Sequence, residues 1–200
     1  MTPQRRPIRQ NSYEDLFVYK KAVVISAVTD IFNKRFIKDS KLSAQITGAA
    51  RSVKQNIVEG VIDDAGSKKT GLILLIIARG SLHELKEDYK DYLMFNRIPC
   101  WETTDPRTEQ LRNFCRTNDN PTIYQDKLQT RSVETIVNLA MTLIHQEDNM
   151  LQKFIYYKES EFLKNGGLTE QLYACRREAR EAINRMRHAA GRQPLPDTQH

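Results

Sequence analysis

The chain contains glutamates and histidines of the kind that bind metals, but their spacing does not match the metal sites of helical proteins. Glu147 falls on the apolar stripe of a predicted long helix, as the ligands of di-iron and di-manganese bundles do. Those sites need paired Glu-x-x-His steps, which would put a glutamate three positions before a histidine. The residues found at that offset are Gly80 before His83, Thr142 before His145 and Arg185 before His188. We therefore predict no metal, and we expect His83 and His145 to be exposed or hydrogen-bonded.

Other catalytic arrangements are also missing from the sequence. It has no Ser/His/Asp order and no nucleophile elbow, and no strand precedes Gly66 and Gly71 to make them a phosphate loop. The three cysteines, Cys100, Cys115 and Cys175, are odd in number and lack a CxxC spacing, which indicates neither a disulfide framework nor a zinc site. Cys115 follows a phenylalanine and is expected to pack as a small buried hydrophobe. The sequence predicts a protein that is not an enzyme and has no cofactor.

A set of small and polar residues recurs where two predicted helices should meet. Two carboxylates in this set could take a countercharge from Arg51 or Arg79, because buried carboxylates are costly unless they are paired. We favour the interpretation that the set fixes the register of the helices, as a single polar seam residue can, over the alternative of a ligand site. Its members are Ser52, Asn56, Glu59, Gly60, Gly80, Ser81 and Glu84. The two glycines are expected to let the helix backbones approach closely.

The net charge of +6 is concentrated at the two ends of the chain. Residues 1–12 hold three arginines and no acidic residue, and residues 166–200 hold six arginines against four acidic residues, whereas residues 13–165 are close to neutral. Contacts with RNA or DNA, if made, should begin at these ends and weaken steeply with salt. The candidate contacts are Arg5, Arg6, Arg9, Lys68, Lys69, Arg176, Arg177 and Arg180. Glu178 and Glu181 lie among the last three, so a solvated charged face is the alternative there.

Helical periodicity predicts the elements that hold these residues. A first helix is expected from a Ser12 cap to about Phe36, with Leu16, Val23, Ala27 and Ile31 facing the core and Lys20 and Lys21 off that stripe. A second, capped by Asp39 or Ser40, has a heptad seam, and Ala65 and Gly66 end it. The seam consists of Leu42, Ile46, Ala49, Val53, Asn56 and Gly60.

A third helix should run from a Ser67 cap to about Asn96, antiparallel to the second because the turn is short. Its start, from Leu72 to Ala78, is apolar all the way round and needs cover on both faces. Residues 97–131 form a long insertion with one short helix at Pro106, and its Trp101 is expected to pack on the body.

A fourth helix is predicted from Ser132 to Asn165 and a fifth from a Thr169 cap to His188. The predicted fold is therefore all-α, an antiparallel up-down four-helix bundle with an insertion and an additional C-terminal helix. We divide the chain into a basic arm (1–12), the bundle (13–165) and a C-terminal suffix and tail (166–200). No apolar run approaches the roughly 20 residues that span a bilayer, so we expect a cytoplasmic protein without membrane contact.

The segment QITGAARSVKQNIVEG, from Gln45 to Gly60, resembles the signature of the four helix bundle proteins related to those encoded in 23S ribosomal RNA intervening sequences. Two further matches are the entry Tyr13, Glu14, Asp15, Leu16 and the group Gly80, Ser81, Glu84. Together they cover about residues 13–95, with weaker similarity over the fourth predicted helix. The insertion and the residues after 166 resemble the subgroup that carries a C-terminal suffix domain.

The resemblance implies a homo-oligomer, pentameric in characterised relatives, without known catalysis. One branch of that family, the accessory variability determinants of diversity-generating retroelements, works beside a reverse transcriptase and binds nucleic acid. Two functions are therefore expected for this chain. The first is a nucleic-acid-binding accessory factor, and the second is a protein–protein interaction or structural module that does not bind nucleic acid.

Overall fold

The computed structural model describes residues 12–64, 67–166 and 168–193, and in these ranges the regular structure is entirely helical. The all-α prediction is thereby confirmed. A single 3₁₀ turn, Tyr13–Asp15, precedes seven α-helices among the described residues. They are α1 (Phe17–Phe36), α2 (Ser40–Asp63), α3 (Lys68–Phe95), α4 (Pro106–Thr117), α5 (Pro121–Leu128), α6 (Val133–Asn165) and α7 (Leu168–Ala189). None of the helices in these ranges combines the length and the apolar composition needed to cross a membrane.

Side-chain caps start most of the helices where the sequence predicts them. Asp39 accepts from the first amides of α2, Ser67 accepts from an amide of α3, and Ser132 does the same for α6. Asp105 caps α4, whose first residue is Pro106. Each cap supplies an acceptor to amides that have no partner inside the helix, which is why these local signals can be read from sequence.

The start of α1 corrects one prediction. Ser12 caps only the 3₁₀ turn, because Leu16 adopts extended backbone angles and α1 begins at Phe17.

Two other helices differ from the prediction. The sequence did not predict α5, although Asn120 caps it and Pro121 occupies its first position. The last helix, α7, begins at Leu168, before the predicted Thr169 cap. The predicted break at Ala65 and Gly66 lies outside the described residues.

The buried face of α1 is rotated from the predicted stripe. Val23 and Ala27 are only half-buried, and the core instead contains residues at spacings of four and three. This seam consists of Val18, Ala22, Ile25, Thr29 and Phe32. A second buried stripe runs beside it through Lys21, Val24, Val28 and Ile31. Lys21 is therefore a core residue, contrary to its predicted place outside the stripe.

Each of α1, α2, α3 and α6 packs against two of the other three. α1 contacts α2 and α6, and α3 also contacts α2 and α6. α4 lies on α6 and α5 lies on α1, so the insertion belongs to the body of the protein. Its Cys115, Tyr124 and Leu128 are buried in the common core, as expected for Cys115.

The α2–α3 pair is closest where two glycines face each other. A Cβ on Gly71 would lie 2.6 Å from the carbonyl oxygen of Gly60, and a Cβ on Gly60 would lie 2.9 Å from the carbonyl oxygen of Gly71. The partner of Gly60 is therefore Gly71. Gly80 is exposed, and a Cβ added to it would have no atom within 4 Å, which corrects its predicted role in close approach.

We predict that Gly71→Ala lowers the free energy of unfolding by about 1–3 kcal/mol, because the new methyl meets backbone atoms that cannot rotate away. Gly48→Ala is the matched control. Gly48 is also helical but has open space around it, so alanine there should raise stability by about 0.5–1 kcal/mol. Urea unfolding followed by circular dichroism measures both changes. Equal stabilisation by the two substitutions would contradict the close approach.

Candidate functional site

The seven predicted motif residues do not form one buried cluster. Asn56 donates from its Nδ2 to the carbonyl oxygen of Ser52 at 2.9 Å, within its own helix. Glu59 and Glu84 are exposed. Since Gly60 lies level with Gly71, Glu84 is displaced from the Glu59 end by about 20 Å along α3. Ser52 and Ser81 are half-buried near the middle of the pair.

Arg79, one of the two arginines predicted to balance the carboxylates of this set, pairs with another residue. Its guanidinium forms a bidentate contact with Asp148 on α6, with Nε 2.6 Å from Oδ1 and Nη2 3.4 Å from Oδ2. His83 Nε2 lies 2.9 Å from the same Oδ1, so His83 is hydrogen-bonded as expected. These contacts lower the pKa of Asp148 to about 2, with the Arg79 hydrogen bond as the largest cause. They join α3 to α6, while Arg51 is exposed.

An exposed apolar strip follows one face of α3. The exposed fractions are 47% for Ile73, 50% for Ile76 and 47% for Ile77. Helical spacing places Lys69, Gly80 and Glu84 on the same side, opposite the buried Leu75, Ala78 and Leu82. We call Lys69, Ile73, Ile76, Ile77, Gly80 and Glu84 the α3 outer face. Within the described chain nothing covers the three isoleucines, although the sequence predicted that both faces of this segment need cover.

The structure places the candidate nucleic-acid contacts in two separate places. Arg5, Arg6 and Arg9 lie outside the described residues. Lys68 and Lys69 begin α3, with Lys69 exposed. On α7, Arg176 and Arg177 are exposed and Arg180 is half-exposed, and the Nε of Arg177 lies 3.7 Å from a carboxylate oxygen of Glu181.

A lysine and two acidic residues meet inside the protein, away from the predicted motif. Lys21 is only 3% exposed. Its ammonium lies 2.6 Å from Oδ1 of Asp119 and donates to the carbonyl oxygen of Cys115. Glu147 is fully buried on the apolar stripe of α6, and neither of its carboxyl oxygens has a hydrogen-bond partner among the described residues. We call Lys21, Asp119 and Glu147 the buried charge cluster.

The protonation state of the cluster depends on the pKa of Glu147. Burial raises the pKa of Glu147 well above its ordinary value, Lys21 opposes the rise and Asp119 adds to it. Glu147 is therefore neutral, and Lys21 and Asp119 form the only ion pair of the three. Burial also raises the pKa of the Cys115 thiol to about 12, which keeps this thiol protonated and unreactive. Among the described residues, no three His, Cys, Asp or Glu side chains are grouped to hold a metal.

A cavity of about 570 Å³ opens beside the buried charge cluster. It lies between the start of α1, the segment 100–119 and the middle of α6, and Lys21 and Asp119 form part of its wall. Trp101 forms another part. Its main-chain N–H donates to Oδ1 of Asn138 at 2.7 Å, and the Arg107 guanidinium stacks 4.2 Å from its ring. The prediction that Trp101 packs on the body is confirmed.

Sequence motifs do not reveal this site. The residues that build it come from α1, the α3–α4 connection, α4, the α4–α5 connection and α6, and no short motif joins them. One signal was present in the sequence. Lys21, Val24, Val28 and Ile31 have the 3-4-3 spacing of a helical stripe, which places a lysine among core positions.

Comparisons of the chain with protein-family models, with curated proteins and with solved structures give no match. The family resemblance described above therefore stays a prediction.

We predict that Glu147→Gln raises the free energy of unfolding at pH 8 by about 1 kcal/mol or more, because the folded chain no longer has to hold a proton that the unfolded chain releases. The folded chain keeps the Glu147 proton above the pH at which the unfolded chain releases it. Stability of the unsubstituted protein must then fall as pH rises through that window, and the gain from glutamine must vanish below it. Thermal unfolding between pH 4 and pH 8 measures this dependence.

Glu159→Gln is the control, because Glu159 lies on the same helix and is half-exposed. It should change stability little at any of these pH values. Destabilisation by Glu147→Gln that is largest at high pH would mean that Glu147 is ionised and paired with Lys21.

Proposed function

We propose that this chain is a non-enzymatic, self-associating helical protein whose α3 outer face pairs with the same face of a second copy. The observation that carries the proposal is the exposure of Ile73, Ile76 and Ile77 on one side of one helix. Single exposed apolar residues are ordinary, but a contiguous apolar strip bordered by charged residues is typical of a protein contact.

The scaffold for this face is an antiparallel up-down bundle of α1, α2, α3 and α6. Its support is that each of these helices packs against two of the others, and that contacts at both ends of α2 and α3 pair early residues with late ones. Gly60 meets Gly71 at one end, and Gln45 donates to Asp88 at the other. Such a bundle holds α3 rigid and presents its outer face to solvent.

The α3 outer face is complementary to itself when two copies run antiparallel. With a two-fold axis between Ile76 and Ile77, these two residues of one copy meet those of the other. The same axis puts Ile73 opposite Gly80, where the missing side chain leaves room for it. It also puts Lys69 opposite Glu84, so both ends of the contact carry opposite charges. A two-fold contact requires this kind of self-complementary patch.

The family resemblance also implies a homo-oligomer, but of a different symmetry. A pentamer is a ring, and its contacts join two different patches rather than one patch to itself. The mass of the assembly therefore separates the two arrangements. A dimer would support pairing through α3, and a five-chain mass would support the ring.

We expect sedimentation equilibrium to give about twice the 23.2 kDa mass of one chain. Ile76→Lys combined with Ile77→Lys should reduce the mass to that of one chain, because four lysines would face one another across the axis. Ile62→Lys is the matched control, since Ile62 is equally exposed but lies on α2.

A charge reversal tests the antiparallel register. Lys69→Glu should weaken association about tenfold by placing like charges at both ends of the contact, and adding Glu84→Lys should restore it. If the double variant associates no better than Lys69→Glu alone, the register is wrong. A wild-type mass of one chain up to about 300 μM would reject self-association, because the association free energy would then be weaker than about −5 kcal/mol.

Nucleic-acid binding through α7 is the second candidate, and the distribution of its arginines favours it. Arg176, Arg180 and Arg187 share one side of the helix, because they are separated by four and seven residues. Glu178 is two positions from Arg176 and from Arg180, which turns it to the opposite side. The helix thus groups these three arginines and turns Glu178 away from them, while Arg185, seven positions from Glu178, lies on the glutamate side.

Binding through this face would be electrostatic, tolerant of sequence and strongly dependent on salt. Arg176→Gln with Arg180→Gln should weaken binding of a single-stranded RNA at low salt by about tenfold, and Glu178→Gln should not weaken it. Fluorescence anisotropy at several salt concentrations measures both the affinity and its slope. Absence of binding at low salt would leave α7 as part of the protein interaction module.

A further inference from the structure

The cavity beside the buried charge cluster has the dimensions of a small-molecule site. Its volume of about 570 Å³ lies within the range of roughly 300–1,000 Å³ that is usual for organic ligands. It is too small for a nucleic-acid strand or a protein domain. Its walls come from α1, α4 and α6 and from the connecting segments on both sides of α4, which pack on the common core, so the fold itself holds the cavity open.

Most polar groups in the wall already have partners within the protein. The Asn138 amide donates to the carbonyl oxygens of Pro99 and Glu134, and its Oδ1 accepts from Trp101. Gln146 donates to the main-chain carbonyl of Arg112. These side chains hold the wall together and have little capacity left to bind a ligand.

The guanidinium of Arg112 is different. Arg112 lines the cavity and is half-buried as a residue, and no side chain or carbonyl among the described residues accepts a hydrogen bond from its guanidinium. Arg116, one helical turn away on α4, also lines the cavity, and among the described residues its guanidinium donates to Asn113. Lys21 is paired with Asp119, whereas no carboxylate of the described residues forms an ion pair with Arg112 or Arg116. The two arginines therefore give the cavity wall a positive charge.

The apolar part of the wall comes from Trp101, Met141 and Met150, and Phe17 at the edge of the cavity is 70% exposed. Uncharged polar side chains and His145 complete the lining. Methionine side chains adapt to ligands of different shape, and a tryptophan face stacks on flat groups. The ammonium of Lys20 lies 5.9 Å from the centre of the Phe17 ring, and a molecule bound at this edge of the cavity would cover more of the ring.

We propose that this cavity binds a small organic anion with a flat, apolar body, such as an aromatic carboxylate or sulfonate. The anionic group lies at Arg112 and Arg116 in charge-assisted hydrogen bonds, and the body lies against Trp101 and the two methionines. A neutral ligand would leave the Arg112 guanidinium without an acceptor in a half-buried place, and a cation would be repelled. The site is separate from the α3 outer face, so this inference does not depend on the proposed self-association.

Two dyes test the charge requirement directly. The probe 1-anilinonaphthalene-8-sulfonate carries an aromatic body and one sulfonate, and N-phenyl-1-naphthylamine has the same body without the charge. Trp101 is the only tryptophan of the chain, so quenching of its fluorescence reports dye bound at the cavity. We expect saturable binding of one sulfonate dye per chain, at least about tenfold tighter than the neutral dye.

Two substitutions locate the contacts. Arg112→Gln should weaken the sulfonate dye about tenfold or more and leave the neutral dye unchanged, whereas Arg51→Gln, on the exposed surface of α2, should change neither. Thr142→Phe places a ring inside the cavity and should weaken both dyes. Circular dichroism and thermal unfolding establish that each variant is folded.

The inference is overturned if the two dyes bind equally well, or if Arg112→Gln leaves the sulfonate dye unaffected in a folded variant. It is also overturned if Ile76→Lys with Ile77→Lys abolishes dye binding while Thr142→Phe does not. That pattern would place the dye on the α3 outer face. The sedimentation experiments on self-association are scored separately and do not alter these outcomes.

Discussion

The buried ammonium of Lys21 is the contact on which the arrangement of the insertion depends. Moving a lysine ammonium out of water costs several kcal/mol unless protein acceptors replace the lost hydration. Both acceptors come from the insertion, namely the carbonyl of Cys115 at the end of α4 and the carboxylate of Asp119 after it. The segment between α3 and α6 must therefore return to α1. Its apolar side chains Tyr124 and Leu128 then complete the core.

The same contact determines the charge of the cavity wall. Asp119 neutralises Lys21, and Glu147 beside them keeps its proton, since a second ionised carboxylate would have no hydrogen-bond donor in the core. The buried charge cluster therefore has no net charge. It provides no negative charge to balance Arg112 and Arg116, although both arginines line the same cavity. A neutral cluster next to two arginines is the physical reason to expect an anion there.

Local signals in the sequence predicted much of the fold. Asp39, Ser67, Asp105 and Ser132 cap helices because each acceptor serves amides only two or three residues away, and such contacts do not depend on the rest of the chain. Contacts between segments that are distant in the sequence were harder to predict. The partner of Gly60 depends on where the turn places α3, and it is Gly71 rather than Gly80.

The burial of α1 shows why the candidate site could not be predicted in the same way. A lysine is normally expected outside a core stripe, and Lys21 was therefore predicted to lie off the buried face of α1. As a result the predicted buried face did not include Val18, Ala22 and Ile25. The rule fails when another segment supplies acceptors for the ammonium. Those acceptors lie 94 and 98 positions further along the chain, in an insertion whose α5 was not predicted. The site is thus a product of tertiary contacts, which periodicity alone does not contain.

Folding explains some apolar residues of α3 and leaves others without a role. Leu75, Ala78 and Leu82 are buried in the chain itself, whereas Ile73 and Ile76 remain about half exposed. Polar residues at these two positions would leave the core intact and lower the risk of aggregation. The stability of a single chain therefore gives no reason for isoleucine there, and a contact with another molecule does. The same reasoning applies to Arg112, because the residue is half-buried and the part of the chain that the structure describes supplies no acceptor for its guanidinium. In both places the residues that the fold does not need are the ones that indicate what the protein binds.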